Sequence, residues 1–288
     1  MLADAAQFDA LWDYQQPAAT ETLFRELLPA VAADAPLRAE LLTQIARAQG
    51  LQRRFDDAHA TLDEVERGLP DLPIRPAVRY RLERGRVYNS SGDLQRARAF
   101  FEEAWRLAAA EPGESFFAVD AAHMMAIASS EQALAWNRRA LEIAQASSDL
   151  RTRNWSGSLL NNMGWAYHEL GDYPVALLHL EQALAFRREQ GQAREIRIAR
   201  WCVARVRRDL GQVPAALEEQ RDLLAEYESL GERSGYVYEE IGECLLALGD
   251  RAAALPFLGL AYEELSADPW LVANEPARLQ RLRDLSSG

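Results

Sequence analysis

The sequence contains no lysine, so arginine supplies every basic side chain. There are 32 basic residues against 44 acidic ones, which gives a net charge of −12. General binding to nucleic acid needs many cationic contacts with phosphate groups. The pairs Arg138-Arg139 and Arg207-Arg208 are too short to form a basic stripe. We therefore expect no nucleic-acid partner.

Cysteine is also scarce, with Cys202 and Cys244 as the only two. Two cysteines are too few for a disulfide framework, and they are compatible with a reducing compartment. A zinc site would need two further ligands at suitable spacing, which the sequence does not supply. We expect both cysteines to be small buried side chains, and we expect no metal.

Long apolar runs are missing too. None approaches the roughly 18 residues that a membrane-spanning helix requires. The first basic residue is Arg25, so the N-terminal stretch lacks the positively charged start of a secretory signal. The expected localisation is cytoplasmic, without a membrane partner.

Motifs of catalysis and cofactor binding are absent: the sequence has no GxGxxG, GxxxxGK[ST], GxSxG or HExxH pattern. No histidine has a cysteine or carboxylate partner in a recognised arrangement. The four histidines are His59, His123, His168 and His179. We expect no catalytic residue and no cofactor, and we interpret the chain as a protein that is not an enzyme.

The stretch Leu160–Arg188 predicts two antiparallel helices joined by a tight turn. One helix face is shared by residues at i, i+3, i+4 and i+7, namely Leu160, Met163, Gly164 and Tyr167. A glycine inside a helix costs about 1 kcal/mol relative to alanine. We therefore expect Gly164 to serve packing, by letting a partner helix approach closely.

The turn of this hairpin has its own signals. Gly171 suits the left-handed conformation at the end of a helix. Asp172 can accept hydrogen bonds from the first amides of the next helix, and Pro174 fits the first turn of that helix. The second helix presents Ala176 and Leu180 to its neighbour.

Copies of this hairpin recur roughly every 40 residues. Turn glycines mark four of them at Gly92, Gly171, Gly211 and Gly249. Another copy lies between the first two glycines, with Ala128 at the turn position. The regular spacing predicts an array of similar units.

Two of the copies resemble the tetratricopeptide repeat, whose pattern is W-x2-L-G-x2-Y … A-x3-F … P. The matching residues are Leu160, Met163, Gly164, Tyr167, Ala176 and Leu180 in one copy, and Gly85, Tyr88, Ala97, Phe101 and Ala104 in the other. No copy keeps the tryptophan of the first position or the proline of the last. The resemblance implies an all-α, right-handed α-solenoid of antiparallel helix hairpins with a C-terminal capping helix.

The period is longer than the family's usual 34 residues, which predicts taller hairpins. Arrays with a period near 40 resemble those of bacterial regulatory proteins. We expect a single array over residues 1–288, with no linker that divides it. The approximate repeats are 1–35, 39–72, 78–111, 114–147, 157–190, 197–230 and 235–268, followed by a capping helix at 272–286.

A second stripe on each first helix is the candidate binding surface. In the proteins that the array resembles, this stripe lines a concave groove where peptides bind. Carrying the stripe over copy by copy gives the candidate partner-binding residues Arg86, Asn89, Asn161, Trp165, His168, Trp201, Arg205 and Arg208.

Trp165 and Trp201 are expected to stand close together on adjacent first helices. Aromatic rings beside arginine and asparagine side chains form a seat for an extended peptide that carries a carboxylate. An alternative interpretation is purely structural. In it, arginines of the stripe pair with acids between neighbouring hairpins, and the tryptophans belong to the core.

The predicted function is that of a non-catalytic scaffold or adaptor. It binds a partner peptide or protein segment in the concave groove, and the segment carries an acidic or C-terminal carboxylate group. The alternative is a sensor, in which a small molecule or signalling peptide binds the groove and alters association with an effector. The sequence also leaves undecided whether the chain forms a homodimer, since the ends and edges of arrays can associate.

Overall fold

The computed structural model describes residues 6–286, with side chains from residue 8 onward. Within that range the chain forms seventeen α-helices and three short 3₁₀-helices, without a strand. The all-α class expected from the sequence is confirmed. The chain divides into two compact units, Met1–Leu159 and Leu160–Gly288. Residues 1–5, where the first predicted repeat begins, lie outside the described part.

Unit 1 contains nine complete helices. They are α1 (Ala6–Ala10), α2 (Pro17–Leu27), α3 (Ala35–Leu51), α4 (Phe55–Gly68), α5 (Ile74–Ser91), α6 (Leu94–Ala110), α7 (Ser115–Ala128), α8 (Ala133–Ala146) and α9 (Leu150–Arg153). The 3₁₀-helices Leu28–Val31, Leu69–Asp71 and Ser130–Gln132 follow α2, α4 and α7. Helices α3 and α4, α5 and α6, and α7 and α8 pack against each other in pairs.

Unit 2 begins inside the next helix, α10 (Trp155–Glu169), which contains the boundary between the units. The helices that follow are α11 (Tyr173–Gln190), α12 (Ala193–Asp209), α13 (Val213–Ser229), α14 (Gly235–Ala247), α15 (Arg251–Leu265), α16 (Pro269–Asn274) and α17 (Pro276–Ser286). Helices α12 and α13, and α14 and α15, pack as pairs, and α17 packs against α15.

The turn between α10 and α11 has the expected chemistry. Gly171 has a φ of 77°, in the left-handed region that glycine adopts without strain. The carboxylate of Asp172 accepts a hydrogen bond from the amide of Val175, 3.3 Å away. Asp93 and Asp250 cap α6 and α15 in the same way. Each cap satisfies an amide that would otherwise lack a partner at the start of a helix.

Gly164 allows the close approach of α10 and α11. A Cβ atom at this position would lie 2.5 Å from Cγ of Leu180 and 3.3 Å from the carbonyl oxygen of Ala176. Phe101 crowds Gly85 in the same way, and Leu258 crowds Gly242. The glycine of the packing stripe is therefore required by helix contact, as the sequence predicted.

The core of unit 1 at its N-terminal end contains large apolar side chains with no solvent exposure. They are Phe8, Phe24, Leu41, Ile45 and Leu62. Full burial of such a side chain contributes roughly 1.5–3 kcal/mol. This core joins α1 and α2 to the first complete hairpin, α3 and α4.

The C-terminal core of unit 2 is closed by α17. Leu223, Ile241 and Leu258 are fully buried, and Leu279 and Leu282 of α17 join them. Helix α17 therefore covers the last hairpin, which is the position expected of a capping helix.

Two local features differ from the sequence prediction. Ala128 makes no left-handed turn; it ends α7, and a 3₁₀-helix follows, because a Cβ atom disfavours the left-handed conformation. Two short helices, α9 and α16, were not predicted. Each begins after an aspartate, Asp149 or Asp268, that accepts hydrogen bonds from the first amides.

Candidate functional site

An aromatic–arginine cluster lies in unit 2, defined by Trp165 of α10, Trp201 and Arg205 of α12, and Tyr236 of α14. The ring centroids of Trp165 and Trp201 are 6.0 Å apart, and those of Trp201 and Tyr236 are 5.8 Å apart. The Cζ atom of Arg205 lies 5.5 Å from both tryptophan rings. The expected proximity of the two tryptophans is confirmed.

The cluster is partly buried and partly open. Both tryptophans pack against core residues and keep part of their surface exposed. Tyr236 is 40% exposed. The indole Nε1 of Trp201 donates a hydrogen bond to the carbonyl oxygen of Tyr236, 3.0 Å away. The rings are thus held in place while one side of the cluster faces solvent.

A buried carboxylate anchors the arginines of this surface. Glu240 is 1% exposed and accepts a hydrogen bond from Nε of Arg208 at 2.9 Å. Nη1 of Arg205 lies farther from the same carboxylate, at 3.4 Å. Burial raises the pKa of Glu240, and the two arginines partly oppose that shift. Arg208 therefore carries most of the pairing, and Arg205 is held more loosely.

His168 extends the cluster and has a carboxylate partner that sequence reasoning missed. Its Nε2 lies 2.7 Å from Oδ2 of Asp209, the last residue of α12. The imidazole ring is 5.2 Å from the ring of Trp165 and 5.1 Å from that of Tyr173. Asn161 is half-buried on α10, one turn before Trp165. Asp209 lies at the end of α12, just before the turn glycine Gly211, and His168 lies at the corresponding end of α10. Because the ends of successive first helices stack, the turn positions in the sequence could have indicated this pair.

The other two predicted site residues belong to unit 1. Arg86 donates hydrogen bonds to Oε1 of Glu83 at 2.6 Å and to Oδ2 of Asp120 at 2.7 Å. Burial lowers the pKa of Arg86, but the two carboxylates outweigh it and the net shift is upward. Asn89 lines a small pocket of about 160 Å³ together with Arg86 and Met124. Of the eight predicted residues, the structure shows ring contacts for Trp165, His168 and Trp201. It shows ion pairs for Arg86, Arg205 and Arg208.

One ion-pair register repeats along the first helices. Arg47 reaches Glu83 at 3.5 Å, Arg86 reaches Asp120, and Arg205 reaches Glu240. In each case a stripe arginine pairs with an acid on the next first helix. The structural alternative, pairing between neighbouring hairpins, is confirmed for these three arginines. These acids were not predicted because they lie beside the stripe of candidate binding residues and not within it. Each follows its arginine by 34 to 36 residues, and this spacing is visible in the sequence.

A second feature, a cavity of about 350 Å³, lies in unit 1. It is lined by Asp9, Tyr14, Arg47, Arg79, Leu82, Glu83, Arg86, Phe116, Phe117, Asp120, Arg151 and Trp155. Of these, only Arg86 was among the predicted site residues. The remainder includes Asp9 of α1, in the approximate first repeat, and Arg151 of α9, which lies between two predicted repeats, and the stripe pattern gave no signal for either.

Asp9 joins two sides of this cavity. Its carboxylate pairs with Nη2 of Arg79 at 3.0 Å and also with Arg151. Arg79 pairs in addition with Glu40 at 3.3 Å. Burial raises the pKa of Glu40, and Arg79 opposes the shift. The cavity wall is therefore rich in buried charges of both signs.

The two cysteines lie in the protein interior. Cys202 and Cys244 are buried as expected, and burial raises the pKa of each thiol to about 12. Residues 6–286 contain no group of three or more His, Cys, Asp or Glu side chains that could hold a metal ion. None of the helices in the described range combines the length and apolar character needed to cross a membrane.

Comparisons with known proteins agree on the repeat type. Models of the tetratricopeptide repeat match residues 78–111 and 121–189. A comparison with curated proteins gave no match. BtubC (BKLC) from P. vanneervenii is similar in structure, with a TM-score of 0.61 and 17% identity over 77% of this chain and 92% of that chain.

Two further solved structures are similar. One is a Signal Transduction ATPase with Numerous Domains with a tetratricopeptide repeat sensor, from Pyrococcus horikoshii. Its TM-score is 0.69 at 16% identity, covering 95% of this chain but only 45% of that chain. The other is NprR in complex with its cognate peptide NprX, with a TM-score of 0.54 and 16% identity over 96% of this chain and 81% of that chain. Identities this low show the fold alone. Together with the helix-pair packing, the repeat matches show that the chain contains tetratricopeptide repeats, matched at residues 78–111 and 121–189.

Proposed function

We propose that the chain is a non-catalytic cytoplasmic adaptor that binds an extended segment of a partner protein over the aromatic–arginine cluster of unit 2. The observation that carries the proposal is Arg205, whose guanidinium stands beside two partly exposed tryptophan rings. Tryptophan, tyrosine and arginine are the residues that most often dominate binding energy at protein interfaces.

The cluster is preorganised for binding. Trp201 is fixed by its hydrogen bond to the carbonyl of Tyr236, and both tryptophans are held by core contacts. Side chains that are already ordered lose little entropy when a partner binds. A peptide can therefore lie across the exposed ring faces without first rearranging them.

Arg205 is the preferred contact for a carboxylate of the partner. Its distance to Glu240 is 3.4 Å, whereas Arg208 holds the same carboxylate at 2.9 Å. Arginine binds carboxylates through two parallel hydrogen bonds. A partner carboxylate, acidic or C-terminal, would therefore bind Arg205, while Arg208 keeps Glu240 neutralised. The resemblance to NprR, which was solved with a bound peptide, supports a peptide as the partner.

A peptide library with defined ends tests the proposal. One arm presents random peptides with a free C-terminal carboxylate, and the other presents the same peptides as C-terminal amides. We expect capture from the first arm, and loss of capture by the double variant Trp165→Ala, Arg205→Ala. The matched control is Trp270→Ala, Arg251→Ala, which removes an exposed tryptophan and an exposed arginine elsewhere in unit 2. If the first double variant captures the same peptides with unchanged affinity and helicity, the proposal is wrong.

A sensor is the second candidate function, and the cavity of unit 1 favours it. The cavity volume of about 350 Å³ lies within the range of roughly 300–1,000 Å³ that is usual for small-molecule sites. In a sensor, the ligand of this cavity would change the capture of peptides measured above. A saturating ligand that leaves peptide capture unchanged would argue for the adaptor alone.

A further inference from the structure

We infer that the cavity of unit 1 binds a free α-amino acid with an aromatic side chain, through the buried groups of both charge signs and the aromatic rings that line it. This inference is independent of the peptide proposal for unit 2, because no residue is shared by the two sites. It also names a ligand for the sensor, which is the second candidate function.

Two residues that line the cavity each have one buried polar atom without a partner among the described residues. The atoms are Nε of Arg79 and Oε2 of Glu83, and the side chains are 4% and 3% exposed. Buried polar groups in proteins are nearly always hydrogen-bonded. A ligand that accepts from Arg79 and donates to Glu83 would satisfy both.

The spacing of these two groups fits a single small ligand. Arg79 and Glu83 are four residues apart on α5, so they lie on one helix face with Cβ atoms about 5–6 Å apart. The ammonium and carboxylate groups of an α-amino acid are joined through one carbon atom, and each adds one hydrogen-bond length. One molecule can therefore bridge the two groups, with its carboxylate on Arg79 and its ammonium on Glu83.

The charge balance of the wall favours a zwitterion over a simple ion. The lining includes four guanidinium groups, Arg47, Arg79, Arg86 and Arg151, and three carboxylates, Asp9, Glu83 and Asp120. A simple anion would stand next to Glu83, and a simple cation would stand next to Arg79. Either would bury an unfavourable contact between like charges. A zwitterion places each charge beside the opposite one.

The aromatic part of the lining suits a flat side chain. The cavity lining includes the rings of Tyr14, Phe116, Phe117 and Trp155. The centroids of Phe116 and Trp155 are 6.1 Å apart, and Cζ of Arg151 lies 3.5 Å from the centroid of Phe116. Aromatic rings prefer offset or edge-on neighbours at such distances. An aromatic side chain of the ligand would pack here, while its polar end reaches α5.

Isothermal titration calorimetry of the full chain tests this inference. The titrants are L-phenylalanine, L-tyrosine and L-tryptophan. L-leucine lacks the aromatic ring, N-acetyl-L-phenylalanine lacks the ammonium group, and L-phenylalaninamide lacks the carboxylate. We expect at least one aromatic amino acid to bind, and each analogue to bind about tenfold more weakly or worse. The inference is overturned if none of the three binds at millimolar concentration, or if the acetylated and amidated forms bind equally well.

Variants locate the site. Glu83→Gln should weaken binding of the aromatic amino acid about tenfold or more. Its matched control is Glu240→Gln, which changes the corresponding buried acid of the same ion-pair register in unit 2 and should leave binding intact. Equal binding by Glu83→Gln and the wild type, or equal losses in both variants, would place the ligand elsewhere and reject the inference.

A second variant covers the case in which Glu83→Gln does not fold. Phe116 is only half-buried, so Phe116→Leu should fold and should weaken binding of phenylalanine more than binding of leucine. If it weakens neither, the cavity is not the site. The double variant Trp165→Ala, Arg205→Ala should bind the amino acid normally, so the two proposals can fail separately.

Discussion

Arg86 donates hydrogen bonds to both carboxylate oxygens of Asp120, which lies 34 residues further along the chain. The pair is largely buried, and it joins α5 to α7, the first helices of successive hairpins. Arg47 and Glu83 repeat the relationship in unit 1, as Arg205 and Glu240 do in unit 2. Charge pairing between first helices is therefore part of how the hairpins stack.

Removing one member of this pair should cost stability. Asp120→Asn leaves the buried Arg86 with reduced compensation, and breaking a buried pair in this way typically costs about 3–5 kcal/mol. Urea denaturation of the full chain measures the effect. The control is Glu131→Gln, which breaks the exposed pair with Arg98 and should change the free energy of unfolding by less than about 1 kcal/mol. Equal effects of the two variants would contradict a structural role for the register.

Gly164 should not tolerate a side chain. In Gly164→Ala the new Cβ would lie 2.5 Å from Cγ of Leu180, and we expect a loss of about 1–3 kcal/mol from overpacking. Gly68 is the control, because a Cβ atom there would meet nothing within 4 Å and its φ of −92° suits any residue. Gly68→Ala should be neutral or stabilising. Thermal unfolding followed by circular dichroism compares the two variants, and a neutral Gly164→Ala would refute the packing argument.

Local pattern made the hairpins predictable from the sequence. The spacing of Leu160, Gly164 and Tyr167 marks a helix face, and Gly171 marks its end, so the contact of Gly164 with Leu180 follows from nearby residues. The approach of Trp165 to Trp201 follows from stacking equivalent helices at a fixed period. Both contacts could be predicted because the hairpin pattern repeats along the chain, and this repetition is visible in a single sequence.

Contacts that break the repetition were not predictable. Asp9 pairs with Arg151 across 142 residues, and they lie on two short helices, α1 and α9, neither of which is a member of a helix hairpin. Their meeting depends on how these helices pack against the array, which no periodicity encodes. The cavity of unit 1 stayed hidden for that reason. The acidic partners of Arg47, Arg86 and Arg205 were missed for a different reason. These long side chains reach acids that lie beside the stripe of candidate binding residues.

The two thiols should be unreactive in the folded protein. Burial raises the pKa of Cys202 and of Cys244 to about 12, so both stay protonated at pH 8, and the thiolate is the reactive form. We expect no modification by a thiol reagent such as Ellman's reagent at pH 8, and modification of both cysteines in urea. Rapid labelling of either cysteine under native conditions would contradict their burial.

The stability of unit 1 should depend on the charge of His123. Burial lowers its pKa; Asp120 raises it and Arg86 lowers it further, and the net shift is downward. The stability contributed by the neutral imidazole is then present above the ordinary value of 6.5 and is lost as the pH falls towards the lowered pKa of the folded state. His123→Gln should lose less stability than the wild type between pH 7 and pH 5. Identical pH profiles in urea denaturation would rule out this contribution.

Asp9 should tune which ligands the cavity of unit 1 accepts. Its carboxylate already neutralises part of Arg79 and Arg151, so Asp9→Asn would make the cavity more positive without removing a side chain. A more positive cavity favours anions. N-acetyl-L-phenylalanine, which has a carboxylate but no ammonium group, should therefore bind more tightly to Asp9→Asn than to the wild type, and L-phenylalaninamide should bind more weakly. Asp13→Asn is the control, because Asp13 lies in the same N-terminal segment, and the contacts of its carboxylate include the backbone amide of Gln15. If both variants shift the two ligands equally, the effect comes from net charge alone, and Asp9 has no specific place in the site.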